Sequence, residues 1–329
     1  MKKRNGIAAA LFSVLMILVA GLSACTPRET PTPEPPTSTP TPEVSPTPTL
    51  APERIVLYDP QAQAGELLSS MMNEFANVNG IGFENWTALS DLRGVKVIVL
   101  YATVDNLAEV AASAPQTQFL DVISSTPSAG NISILAANPT HLAFMAGYLA
   151  AMTSTEWRAG ALLSDDTNLG LADAFYNGGQ YLCGRCTPKY GPILYYPQVY
   201  TESGTADATA WTALAQSLWN DTNANSVYID PAGDFTPVLD MFAEEYVFTA
   251  NPASSNLARY TAVLGPDAPA GIQLALPDLL AGNGGKVFTS PVTLAVINNA
   301  DVISPAKQTL FNEVSAKLAA GQINPLSVP

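Results

Sequence analysis

Residues 143–166, AFMAGYLAAMTSTEWRAGALLSDD, divide into two halves of different character. The first half carries small residues on one side of a helical pattern: Ala146, Gly147, Ala150 and Ala151. The second half, Ala159 to Leu163, is a short apolar run that stops at Ser164, Asp165 and Asp166. Short apolar runs bounded by polar turn residues read as buried strands. Absent side chains let backbones approach, so the stretch predicts a small-residue helix packed closely on a sheet. It is a core segment of an α/β domain.

The rest of the body alternates in the same way. Arg54–Tyr58 reads as a strand ending at Asp59-Pro60, and Gly65–Ala76 as a helix with Leu67, Leu68, Met71, Met72 and Phe75 on one face. Further strands are expected at Ile81–Trp86, Val95–Tyr101, Gln118–Ile123, Asn131–Ala136, Ile193–Tyr196, Ser226–Ile229, Thr261–Leu264 and Val292–Ile297. Helices are expected at Val104–Ser113, Ala208–Trp219, Pro237–Tyr246 and Lys307–Ala320. Near-continuous apolar strands separated by helices indicate parallel sheets covered on both faces.

The first 53 residues follow other rules. Lys2, Lys3 and Arg4 precede an apolar stretch, Ile7 to Ala20, and then Leu22-Ser23-Ala24-Cys25, which resembles a bacterial lipobox. This order predicts a signal peptide over residues 1–24 and a lipid on Cys25. Two or three acyl chains, at roughly 0.8 kcal/mol per buried methylene, anchor a protein without a membrane-spanning helix. Residues 25–53 are rich in Pro, Thr, Ser and Glu, with almost nothing to bury, and read as an extended linker. The expected location is the extracytoplasmic face of the cell membrane.

Charge narrows the partners. The chain has 14 basic and 28 acidic residues; removing residues 1–24 takes Lys2, Lys3 and Arg4 and no acid, leaving 11 against 28, a net charge of −17. Such a chain is not expected to bind nucleic acid or anionic lipid surfaces. The hydrophobic content of 47% suits a well-cored domain over residues 54–329. Besides Cys25, the cysteines are Cys183 and Cys186, spaced Cys-Gly-Arg-Cys. Outside the cytoplasm this pair is expected to form a local disulfide rather than a redox centre, and zinc would need two more ligands. No metal or cofactor is expected. His141 is the one histidine, read as a cap or surface residue, and no nucleophile-elbow, zincin or P-loop motif occurs, so an enzyme is not expected. A monomer is expected.

Met145-Ala146-Gly147-Tyr148-Leu149-Ala150-Ala151-Met152-Thr153-Ser154 resembles the signature helix of the basic membrane protein family, substrate-binding lipoproteins of ABC importers whose characterised members bind purine nucleosides. Weaker similarity covers Val95–Phe119, Thr201–Ile229 and Lys286–Ala320. The resemblance implies a type I periplasmic-binding-protein-like fold: two α/β lobes with parallel sheets flanked by helices and a hinged cleft. The first lobe is expected to hold about 54–138 and 291–329, and the second about 139–290, with crossings near Asn138 and Ser290. Where the family has Asp-x-Ser-Phe-Asn, this chain has Asp59-Pro60-Gln61-Ala62-Gln63, and Asn298-Asn299 replace a lysine. The family's aspartate is not found at Ile123-Ser124.

Ligands of open α/β sheets bind outside the carboxyl ends of the strands. Carboxylates and amides there suit sugar hydroxyls, and aromatic faces suit bases. Candidates are Asp59, Gln61, Tyr101, Thr103 and Ser124 in the first lobe, and Asp165, Asp166, Tyr176, Asp230, Phe235 and Asp267 in the second. Each acid also reads as a helix cap or turn residue. The leading expectation is a lipid-anchored solute-binding protein of an ABC permease, with a small molecule in the cleft, a nucleoside being the class the resemblance implies. The alternative is a surface lipoprotein of the same fold that senses or docks onto a protein.

Overall fold

The computed structural model describes residues 51–123, 130–165, 169–188 and 194–327. Cys25, the leader, most of the linker, Ser124 and Asp166 lie outside the described residues. Among the described residues no helix is long and apolar enough to cross a membrane.

The chain lays down β1 (Arg54–Tyr58), α1 (Gly65–Val78), β2 (Gly82–Trp86), β3 (Val95–Leu100), α2 (Leu107–Ser113), β4 (Gln118–Asp121) and β5 (Ile132–Ala136). It then passes Asn138 into α3 (Pro139–Thr153), β6 (Ala159–Ser164), α4 (Leu171–Cys183), β7 (Gln198–Glu202), α5 (Ala208–Thr222), β8 (Ser226–Ile229), α6 (Thr236–Met241), β9 (Tyr246–Ala250) and β10 (Ala262–Pro266). At Asp267 it returns through α7 (Ala268–Leu280) and β11 (Val287–Thr289). At Ser290 it crosses again to β12 (Val292–Ile297) and α8 (Pro305–Ala319).

Two six-stranded sheets result, ordered β11-β5-β4-β3-β1-β2 and β12-β10-β9-β8-β6-β7. All pairings are parallel except β10 with β12. Each sheet is wound in the same sense: the second strand lies outside the first, and the third, fourth and fifth run to the other side. Strands such as β3 (VKVIVL) are buried along nearly their whole length because helices cover both faces.

The packing of α3 decides the second lobe. It is apolar all round, as expected of a helix enclosed on every side. Its small residues meet α4 as well as the sheet. A side chain on Gly147 would overlap the Phe175 carbonyl, and one on Gly178 would overlap the Phe144 carbonyl. Phe144-x-x-Gly147 and Phe175-x-x-Gly178 are thus matching motifs, each glycine lying on the carbonyl of the other helix's phenylalanine. This backbone contact suits weak Cα–H···O bonds.

Several expectations are corrected. Of the expected strand Ile193–Tyr196, Ile193 lies outside the described residues and 194–196 form no strand; β7 starts at Gln198, because Pro197 has no N–H to donate and Tyr196 makes only an isolated bridge to Cys186. Strand β4 ends at Asp121 rather than Ile123, so a carboxylate does stand at its carboxyl end. Helix α6 stops at Met241, and Tyr246 opens β9. The sequence reading passed over α4, β9, α7 and β11. Leu67 is turned out, 77% exposed, while Leu68, Met72 and Ala76 face the core. The lobe boundaries also change. The stretch expected in the first lobe at 291–329 lies in the second over its described elements, because β12 pairs with β10 and Phe311 and Leu318 of α8 pack into the α3 core. It is α7 and β11 that complete the first lobe.

Candidate functional site

In each sheet the winding reverses beside its first strand: between β1 and β3, and between β6 and β8. Chains leaving two adjacent strands in opposite directions open a crevice at their carboxyl ends, where ligands of such sheets bind. In the first lobe the residues there are Asp59 and Tyr101; in the second they are Ser164, Asp165 and Asp230.

Asp59 is half-buried, and its carboxylate accepts from the backbone amides of Gln63 (2.9 Å) and Ala64 (2.7 Å). It therefore shapes the turn into α1. Gln61 is exposed on that turn, and its side-chain oxygen accepts from Gln63 at 2.7 Å. Tyr101 is half-buried, and Thr103 is exposed. Burial, and then the charges of Asp59 and Asp267, push the Tyr101 phenol above its usual range. Asp267 stands at the second crossing, where it caps α7 by accepting from Ala270 at 3.0 Å. The fold sets Asp59 beside Tyr101 at the ends of the neighbouring strands β1 and β3.

The second-lobe candidates divide. Asp230 is half-buried and accepts from the Ala232 amide at 2.9 Å, capping a 3-10 turn, and Asp165 is exposed. Tyr176 is corrected: it sits within α4, not at a strand end, and its hydroxyl accepts from Gln180 at 2.6 Å. Phe235 stands just before α6 rather than at the strand end, and it packs, half-buried, against the cluster of Trp211, Val238 and Tyr260. His141 lies in the first turn of α3, half-buried, and burial lowers its imidazole pKa. Asp121 was missed because the strand was read two residues too long. It is buried and accepts from the Ile123 amide at 3.0 Å. Asp234 was also missed. Its carboxylate accepts from Tyr260 (2.6 Å), Asn256 (2.8 Å) and the Ala253 amide (2.6 Å), tying together the loops after β8 and β9.

Charge is sorted along the strands. None of the five residues that follow each strand is Lys or Arg. Arg54, Arg93, Lys96, Arg158, Arg259 and Lys286 stand near strand starts, each paired with an acid. The carboxyl edge is accordingly acidic, an environment that repels anions and tolerates neutral or cationic solutes. No group of metal-binding side chains occurs among the described residues. A groove of about 450 Å³ lies elsewhere, lined by Ala208, Thr209, Thr212, Ala213, Gln216 and Pro237 of α5 and α6. Its walls are helix residues. Cys183 and Cys186, Cα atoms 5.4 Å apart, are joined as a disulfide where α4 ends.

Two doubly wound lobes linked by three crossings make a type I periplasmic-binding-protein-like fold. Among solved structures, the chain is similar to an ABC transporter system solute-binding protein from Conexibacter woesei DSM 14684, with 16% identity, 83% of this chain and 98% of that chain covered, and a TM-score of 0.42. It is similar to an ABC transporter solute-binding protein from Aeropyrum pernix K1 (13% identity, 85% and 94% covered, TM-score 0.40). It is also similar to a transcriptional activator of the comK gene from Bacillus halodurans (11% identity, 84% and 100% covered, TM-score 0.37). No protein-family model matches the chain, and comparison with curated proteins finds no match.

Proposed function

We propose that this chain is a solute-binding protein of an ABC importer, held at the outer face of the cell membrane by a lipid on Cys25. It works as a monomer that captures a small molecule between its lobes and delivers it to a permease. The observation that supports the reading is the placing of Asp59 and Tyr101 side by side at the ends of β1 and β3, the first-lobe switch point, where the Tyr101 amide donates to the Tyr58 carbonyl at 2.9 Å. An aromatic face flanked by carboxylates offers stacking together with acceptors for hydroxyl or amino groups. The absence of Lys and Arg after the strands argues against phosphate or carboxylate solutes. Nucleosides are uncharged at neutral pH and suit these groups, and the resemblance of residues 145–154 makes them the first class to try.

A thermal-shift screen of nucleosides, sugars, amines and amino acids tests the reading. A true ligand at a hundredfold excess over Kd stabilises the protein by about 2.7 kcal/mol. Absence of any hit, or binding only of anionic solutes, counts against the proposal. Cys25→Ser should release the protein from membranes; a variant that stays bound rules out the lipid anchor.

A further inference from the structure

Residues 320–327 follow α8 and fold back across the second lobe. Ile323 packs, half-buried, against the α3 core. The Asn177 side-chain amide, on α4 and only 6% exposed, donates to the Pro325 carbonyl at 3.0 Å. The Leu326 amide donates to the Asn324 side-chain oxygen at 3.0 Å, and the Ser327 amide to the Asn324 carbonyl at 3.3 Å. This is a tight asparagine-led turn. It seats Leu326 against Gly170, with Cδ2 3.0 Å from the point where a Gly170 side chain would begin.

Gly170 opens α4, at φ +67°, where the chain arrives from the carboxyl end of β6. Strand β6 flanks the second-lobe switch point. The segment is therefore fastened beside the start of α4, the helix that follows β6, yet the fastening does not bury its leucine. Leu326 is 51% exposed and Leu169, next to Gly170, is 44% exposed. The strand-end residues nearby in the topology, Asp165 and Asp230, are acids. A buried amide and a side-chain-capped turn thus hold a half-exposed apolar side chain beside the start of α4, near strand ends that carry acids.

We propose that Leu326, with Leu169, forms an apolar ledge on the second-lobe side of the cleft. The captured solute lays an apolar or aromatic face on it while first-lobe groups take its polar edges. The proposal rests on the solute-binding reading and adds a specificity-determining residue to it. It requires a solute with an apolar face rather than a fully hydroxylated or highly charged one.

The test uses the full chain in a Cys25→Ser background, with adenosine, guanosine, inosine and cytidine as probes. Leu326→Ala is compared with Leu310→Ala, a similarly exposed leucine on α8 (48%). Leu326→Ala is expected to weaken binding about tenfold, the loss of most of one leucine contact, while leaving the melting temperature of the unliganded protein unchanged. Leu310→Ala should change neither. Unchanged affinity in Leu326→Ala overturns the ledge. If no probe binds the parent chain, nucleoside binding fails, and the ledge is judged without ligand. Gln61→Cys paired with Leu326→Cys should then cross-link with a short bismaleimide, and Gln61→Cys paired with Leu310→Cys should not. Absence of the first cross-link overturns the ledge independently of any ligand.

Discussion

Gly147 on α3 lies directly on the backbone carbonyl of Phe175 on α4, with no room for a side chain between them. Gly178 lies in the same way on Phe144. The pairing joins the helix entering the second lobe to the helix that leaves its first strand, so the crevice beside β6 depends on it. Gly147→Ala or Gly178→Ala should force the helices apart and cost about 1–3 kcal/mol. Urea unfolding would measure this, and a change within about 0.5 kcal/mol would show that the helices part freely.

The Tyr101 phenol should titrate above its ordinary value of 10.0. Burial is the main cause, followed by Asp59 and Asp267. The folded state then holds its proton more tightly than the unfolded state does. The stabilisation is complete below the unfolded pKa and is lost as pH rises through the folded pKa. The difference in ultraviolet titration between the parent protein and Tyr101→Phe isolates this group. In Asp59→Asn/Asp267→Asn its midpoint should fall without reaching 10, because burial remains. An unshifted midpoint would separate Tyr101 from both acids.

Asp234 accepts hydrogen bonds from Tyr260, Asn256 and the Ala253 amide. Tyr260 is 1% exposed, so Asp234→Ala strands a buried hydroxyl. A loss of about 2–4 kcal/mol in thermal or chemical unfolding is expected. Asp234→Asn keeps two acceptor sites on its oxygen and should lose less. Equal losses in the two variants would mean that charge, rather than hydrogen bonding, holds the loops.

Cys183 and Cys186 should be oxidised in freshly isolated protein. Alkylation before and after reduction, read by mass spectrometry, should add two labels at these positions only after reduction. Closing so short a loop is worth about 2 kcal/mol in the chain-entropy account, so Cys183→Ser/Cys186→Ser should fold with a modestly lower midpoint. Two labels before reduction would remove the clip.

Much of the architecture was carried by local pattern. Runs such as Val95–Leu100 and Ala159–Leu163 are apolar enough to be buried on both faces, and that alone predicts parallel sheets under helices. The same holds for strand-end acids: Asp59 and Asp230 follow apolar runs directly and Asp267 comes after Leu264-Gly265-Pro266, so their places were legible, though their backbone-capping bonds were not. Local pattern failed where a segment's meaning depends on distant contacts. Strand β12 reads equally well in either lobe, and only its pairing with β10 assigns it to the second. Tyr176 and Phe235 read as strand-end residues, and only the structure places Tyr176 within α4 and Phe235 at the start of α6, packed against the core of α5 and α6. The amino-acid sequence by itself determined which segments are strands wanting cover on both sides, because burial is written in each residue's own polarity. The tertiary structure alone decided which strand ends meet, since setting Asp59 beside Tyr101 requires the winding of a sheet, and seating β12 against β10 requires a crossing between lobes, neither of which any one segment encodes.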